Sequence, residues 1–244
     1  MGSMRLPPCL LPSALWALCA GAYAGPGELV MLAPTDQAMP IARFQNGAVA
    51  GGIVKDFGDV LAQRLGRRAV YLSADSPEVR PALSSGRADG MCYVTPFWID
   101  GDYHWSVALF PDAEMIAARV DMPHLRSLKD LRDKPVGTVV DYRYQRVEQV
   151  LSQRFRRVDA ANMEANIQQM IAGKVPYTMI SEATLNYQSR IHPGMKVRGD
   201  LVFSAYKAQC AFSQKSQVPF NEISRVIDTL IKDGSVEQIL ARYR

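Results

Sequence analysis

The chain has 244 residues, 48% of them hydrophobic and 21% charged, with Gly 17 and Pro 15. These proportions exclude collagen-like, coiled-coil and disordered chains and leave a globular protein of one large domain or two small ones. Lys and Arg exceed the acids by 28 to 24, a net charge of +4 that is too slight to imply a nucleic-acid partner.

Met1 to Ala24 carries a single cation, Arg5, ahead of an apolar run from Leu6 to Cys19 and the small residues Ala22 and Ala24. A basic start, a short apolar run and small residues before a cut are the parts of a secretory signal, so residues 1–24 are expected to be cleaved and the remainder to be periplasmic. Pro7, Pro8 and Pro12 oppose a buried helix, and the run is too short to span a bilayer. Cys9 and Cys19 would leave with that segment, and Cys92 and Cys210 would remain. In an oxidising compartment these two are free to pair, or to stay apart as buried apolar thiols. Their spacing does not decide between the two.

From Glu28 onward strand and helix alternate. Leu29 to Leu32 reads as a strand that ends by Pro34. Ile53, Phe57, Val60, Leu61 and Leu65 repeat at helical spacing, and Gly66 stands where the helix would stop. Ala69 to Leu72 is a strand, Pro77 opens a short helix closed by Gly86, and Ala88 to Val94 is a strand again. This order predicts a parallel sheet covered by helices.

The pattern then restarts. Ser127 and Asp130 form a capping pair before a short helix, and Val136 to Val140 is a strand. Val147, Val150, Leu151 and Phe155 mark a helix, with Arg154, Arg156 and Arg157 as its solvated end. Ile167, Met170 and Ile171 mark another, closed by Gly173 before the strand Tyr177 to Ile180. Ala82 to Asp89 and Met170 to Pro176 echo one another as helix end, glycine, cation and strand. The echo predicts two α/β lobes of similar build. After Pro219, the residues Phe220, Ile223, Val226, Ile227, Leu230 and Ile231 form one apolar helix face, and a last helix runs through Val236, Ile239, Leu240 and Tyr243.

Catalytic and metal signatures are missing. His104, His124 and His192 are scattered, with no His-x-x-x-His or Cys-x-x-Cys setting, no nucleophile elbow, no phosphate loop and no dinucleotide fingerprint. No catalytic residue, metal or cofactor is expected. Open α/β sheets bind ligands beyond the carboxyl ends of their strands, and both such exits carry aromatic residues. One is Tyr93-Val94-Thr95-Pro96-Phe97-Trp98, the other Asp141-Tyr142-Arg143-Tyr144. If the lobes face each other, a small ligand would be sandwiched between these clusters.

The order of several short motifs resembles the family 3 extracellular solute-binding proteins, the periplasmic receptors of polar amino-acid ABC transporters. The resemblance runs through Asn46-Gly47, Gly52-Ile53-Val54-Lys55-Asp56, Ala82 to Asp89, Ser127-Leu128-Lys129-Asp130-Leu131 with Val136-Gly137, and Lys232-Asp233-Gly234-Ser235. It implies an α/β clamp of two lobes, each with a mostly parallel sheet. Lobe one would be residues 25–110 with 205–244, lobe two 111–204, and the hinge strands would lie near Leu109–Asp112 and Leu201–Ser204. It further implies a monomer that closes on a small-molecule ligand and presents the closed form to an inner-membrane permease or, alternatively, to a sensor kinase.

The sequence departs from the family where ligand is held. The arginine that usually follows the Thr-Pro turn is replaced by Phe97 and Trp98, the aspartate for an α-amino group falls at Ser181, and Arg143 stands where a small residue is usual. Arg143 is then the candidate cation of the opposite lobe, and Glu182 the candidate partner for an ammonium. The ligand is expected between Asp36, Tyr93, Thr95 and Trp98 of one lobe and Tyr142, Arg143, Tyr144, Ser181 and Glu182 of the other. An aromatic cleft of this kind equally suits a larger amphipathic solute. The tract Gln188 to Pro193 also resembles dehydratases of the same fold, but Thr184 occupies the place of their catalytic glutamate, which leaves elimination without a proton donor.

Overall fold

Alternating burial along short apolar runs builds the strands, and helical burial between them builds the covering layers. The computed structural model describes residues 27–244, so the expected signal segment lies outside the described residues. In chain order it contains β1 (Glu28–Pro34), a hairpin of β2 (Arg43–Gln45) and β3 (Ala48–Gly51), α1 (Ile53–Arg64) and β4 (Arg68–Ala74). There follow α2 (Ser76–Ser85), β5 (Gly90–Val94), β6 (Tyr103–Trp105), β7 (Phe110–Arg119) and β8 (Pro135–Val139). Next come α3 (Gln145–Leu151), β9 (Arg156–Ala160), α4 (Met163–Ile171), β10 (Tyr177–Ser181) and α5 (Glu182–Ile191). The long β11 (Val197–Ser213), α6 (Phe220–Lys232) and α7 (Ser235–Ala241) complete the order.

The expected helix stops hold where the chemistry is local. Gly86 ends α2 in the left-handed region at φ 80°, which costs a residue without a Cβ little. The Ser127–Asp130 pair forms a reciprocal capping box, but it encloses only a 3-10 turn at Leu128–Leu131. Asp133 turns the backbone there at φ 60°, and β8 begins at Pro135. The arginine cluster is a correction. The helix before it stops at Leu151, and Arg156 and Arg157 open β9 instead of ending a helix. Parallel pairing with β8, Val136 opposite Arg157, draws Arg157 inward to donate to the Val139 and Tyr142 carbonyls and to Asp159.

The strands join as β4-β1-β5-β11-β7-β10-β8-β9, with β6 also on β11. Two parallel triplets sit at the ends of this order: β4-β1-β5 and β10-β8-β9. Between them β7 and β11 run antiparallel over a long register, from Phe110 opposite Ala208 to Arg119 opposite Val197. The last part of β11 leaves β7 and pairs with β5, so one 17-residue strand belongs to both halves. In that register Cys210 lies opposite Cys92, and the two form a disulfide.

Each triplet is covered on both faces, as the alternation of side chains requires. In the first half Leu29, Met31 and Ala33 pack with α1, α6 and α7, whereas Leu32 faces Val79, Ala82 and Leu83 of α2. In the second half Val136 and Met179 pack with Val147 and Leu151 of α3, and Ile180 and Val175 pack with Ile167 and Met170 of α4.

Candidate functional site

Residues just beyond β1, β5 and β8 line a cleft of about 680 Å³, and a narrower chamber of about 50 Å³ adjoins it at the end of β10. Asp36, Tyr93, Trp98, Glu114, Tyr142 and Tyr206 border both spaces. Two parallel triplets pointing their carboxyl ends at one crevice is the arrangement in which α/β sheets take ligands.

A backbone irregularity aims Tyr93. Val94 lies opposite Gln209 and Cys92 opposite Cys210, so Tyr93 is the extra residue of a β-bulge in β5. Its φ of 64° is left-handed, a strained state for a bulky residue that persists only when its surroundings hold it. The disulfide pins the residue before it, Phe110 stacks on its ring at 5.3 Å, and its hydroxyl donates to Asp112 at 2.8 Å. Asp141, just past β8 in the other half, also turns through the left-handed region at φ 60° before Tyr142 and Tyr144.

Asp112 ties the two halves together. One carboxylate oxygen accepts from the hydroxyls of Tyr93 and Tyr206, at 2.8 and 3.1 Å. The other accepts from its neighbour Ala113 and, at 2.9 Å, from the Ala183 N–H in the first turn of α5. Cross-strand register explains the cluster: Asp112 faces Tyr206 and Glu114 faces Ser204 across β7 and β11. Of these four, Glu114, Ser204 and Tyr206 line the cleft, while Asp112 stays buried behind it.

Two further carboxyls lie at depth. Asp36 is only 8% exposed, and it accepts from the Ser76 hydroxyl at 2.6 Å and from Gln37. Burial pushes its carboxyl above the usual carboxylate range, with the Ser76 and Gln37 hydrogen bonds pulling the other way. Burial also raises Glu114, against the hydrogen bond from Ser204 and the charge of Arg146. The hydroxyls of Tyr142 and Tyr206 are held well above their ordinary range, first by burial and then by the nearby carboxylates, which keeps both neutral. Trp98 meets the Tyr206 ring edge to face at 4.8 Å.

The raised value at Asp36 means that folding favours its neutral form. That contribution is complete below the ordinary carboxylate range and is lost as pH rises through the raised folded value. At pH 7 the buried charge therefore works against the fold. Asp36→Asn is expected to leave the thermal midpoint of the ligand-free protein unchanged or higher at pH 7, with the difference shrinking in acid. Calorimetry at pH 4 and 7 checks this, and a clearly lower midpoint at pH 7 would refute it.

The structure brings together most of the residues expected from the sequence. Asp36, Tyr93, Thr95, Trp98, Tyr142 and Arg143 line the outer cleft, and Tyr144 and Ser181 line the inner chamber. Arg143 stays exposed at the rim, 3.9 Å from Glu148. Tyr144 is structural as well as lining: its hydroxyl accepts from the Val139 N–H, and the Arg157 guanidinium covers its ring. Ser181 caps α5 by accepting from Thr184. Glu182 lines neither space, because as the first residue of α5 it stands in solvent. Glu114 and Tyr206, which line both spaces, and Asp112 behind them were not expected there. The signal for them was the alternation Asp112-Ala113-Glu114 and Ser204-Ala205-Tyr206 in the two crossing strands.

No family model and no curated protein matches the sequence. Solved structures do. An ancestral arginine-binding protein bound to glutamine is similar over 89% of this chain and 97% of its own, at 21% identity and a TM-score of 0.75. The fold is that of the two-lobed periplasmic binding proteins. Another of this fold is the arginine-, lysine- and histidine-binding protein of Geobacillus stearothermophilus, at 17% identity and a TM-score of 0.71, with 88% of this chain and 94% of that one covered. An ancestral amino-acid-binding protein described as a precursor of cyclohexadienyl dehydratase matches at 16% identity and a TM-score of 0.73, over 89% and 95%. The cleft of about 680 Å³ draws its lining from both halves of the sheet order.

Proposed function

We propose that the chain is a periplasmic solute-binding protein of the family 3 type, which captures a small polar or amphipathic solute between its lobes for delivery to an inner-membrane ABC permease. Lobe one would comprise residues 25–110 with 205–244 and lobe two 111–204, moving about the crossing strands near Leu109–Asp112 and Leu201–Ser204. The observation that carries this reading is the cleft of about 680 Å³, which draws its lining from strand ends of both halves. A ligand that touches both lobes binds the closed form better than the open one and shifts the population toward it. Asp36, Tyr93, Thr95, Trp98 and Tyr142 would hold the solute, with Arg143 at the rim. At the two positions that the dehydratase likeness singles out, Glu182 lies outside both spaces and Thr184 carries no acid.

A screen of amino acids, amines, sugars and organic acids by thermal shift tests the reading. A true ligand at a hundredfold excess over its Kd is expected to stabilise the native state by about 2.7 kcal/mol. Small-angle scattering should show the same solute reducing the radius of gyration. Absence of any stabilising solute across these classes would sink the proposal.

A further inference from the structure

The depth of the cleft is acidic, and its cations stand at the mouth. The charged groups that border both the cleft and the chamber are Asp36 and Glu114, and the cations Arg143, Arg146 and Lys207 are exposed on the outer rim. In lobe two the first amides of α5 would be the natural receiver for a ligand carboxylate. They are occupied from within: the Ala183 N–H by Asp112 and the Thr184 N–H by the Ser181 hydroxyl. Beyond the Thr95-Pro96 turn, Phe97 and Trp98 present rings in place of a cation, and Phe97 is 82% exposed at the cleft mouth.

A second, independent feature points to a bound molecule. Thr95 is 5% exposed and lines the cleft, yet its hydroxyl oxygen has no hydrogen-bond partner in the protein. Buried hydroxyls are rarely left unpaired, because each costs the loss of its hydrogen bond to water. Around it stand the faces and edges of Tyr93, Trp98, Tyr142 and Tyr206, which attract positive charge through their ring quadrupoles.

We propose that the cleft selects organic cations without an α-carboxylate, that is, amines or guanidines rather than amino acids. The cationic group lies between Asp36 and Glu114 within the aromatic collar, and Thr95 hydrogen-bonds the same end of the ligand. A carboxylate carried to this depth would meet two carboxylates of its own sign, whereas the cations Arg143, Arg146 and Lys207 stand on the outer rim. The proposal rests on the solute-binding reading and narrows it to one ligand class.

The test uses matched pairs that differ only in the carboxylate: agmatine against arginine, cadaverine against lysine, and tyramine against tyrosine. Titration calorimetry of the mature protein should find at least one decarboxylated member bound about tenfold or more tighter than its amino acid. Glu114→Gln and Asp36→Asn should each weaken that amine about tenfold or more, with the fold verified by circular dichroism. Tighter binding of the amino acids, unchanged amine affinity in both variants, or stabilisation only by neutral or anionic solutes would overturn the proposal while leaving a solute receptor. Failure of every solute class to bind would remove the receptor reading along with it.

Discussion

Replacing Cys92 and Cys210 together by alanine is expected to destabilise the protein by about 2–5 kcal/mol. The bond joins residues 118 apart in sequence, so it removes a large share of the freedom of the unfolded chain. It also joins β5 to β11, the contact through which the last strand completes the first half of the molecule. A midpoint drop of roughly 5–15 °C should follow in calorimetry, and reduction of the native protein with dithiothreitol should reproduce it. The same change should weaken ligand binding, because Tyr93 is held in its strained bulge beside Cys92. An unaltered midpoint in both the variant and the reduced protein would rule the prediction out.

Asp112→Ala is expected to be comparably severe. Besides the adjacent Ala113 N–H, it strands three distant donors to this carboxylate, the Tyr93 and Tyr206 hydroxyls and the Ala183 N–H. A stranded buried donor costs about 1–3 kcal/mol, and because the three share one acceptor the costs do not simply add, giving about 3–5 kcal/mol in total. Asp112→Asn keeps one accepting oxygen and should lose much less. Urea denaturation of the two variants separates the cases. Equal losses would mean that the effect lies in the shape of the side chain and not in its acceptors. The alanine variant should also free the first turn of α5 to receive an anion, so any residual binding should shift toward carboxylated solutes.

The parts of the fold that could be read from the chain are those with a local cause. Pro77 and Gly86 bracket α2, Ser127 and Asp130 cap a turn, and the apolar face of α6 follows from spacing alone. The long strands were harder. Nothing local announces that Val197 to Ser213 is one strand, because it contains Gly199, Asp200 and Lys207 and is bulged at Asp200 and Phe203. Its extension is enforced from outside, by pairing with β7 and then with β5.

The site divides along the same line. Tyr93, Trp98 and Tyr142 could be found because aromatic residues at strand exits are visible in a sequence. Glu114 and Tyr206 could not, since their place in the cleft depends on the register of β7 against β11 and so on residues some ninety positions away. Glu182 shows the converse error: one step along the chain from Ser181, at a helix start, turns a side chain from the chamber to solvent.

The sharing of β11 between the halves leaves the first half incomplete while the chain is being made. A chain that emerges from its amino end delivers β4, β1 and β5 more than a hundred residues before the strand that flanks β5. Through that interval the fully apolar run Gly90–Val94 is a bare sheet edge, open to pairing with a neighbouring chain. Residues 209–212 close it, and α6 and α7 come after them. Truncations near the carboxyl end should therefore yield aggregates instead of a smaller folded protein, and a holding chaperone that covers one strand would serve this chain throughout its wait.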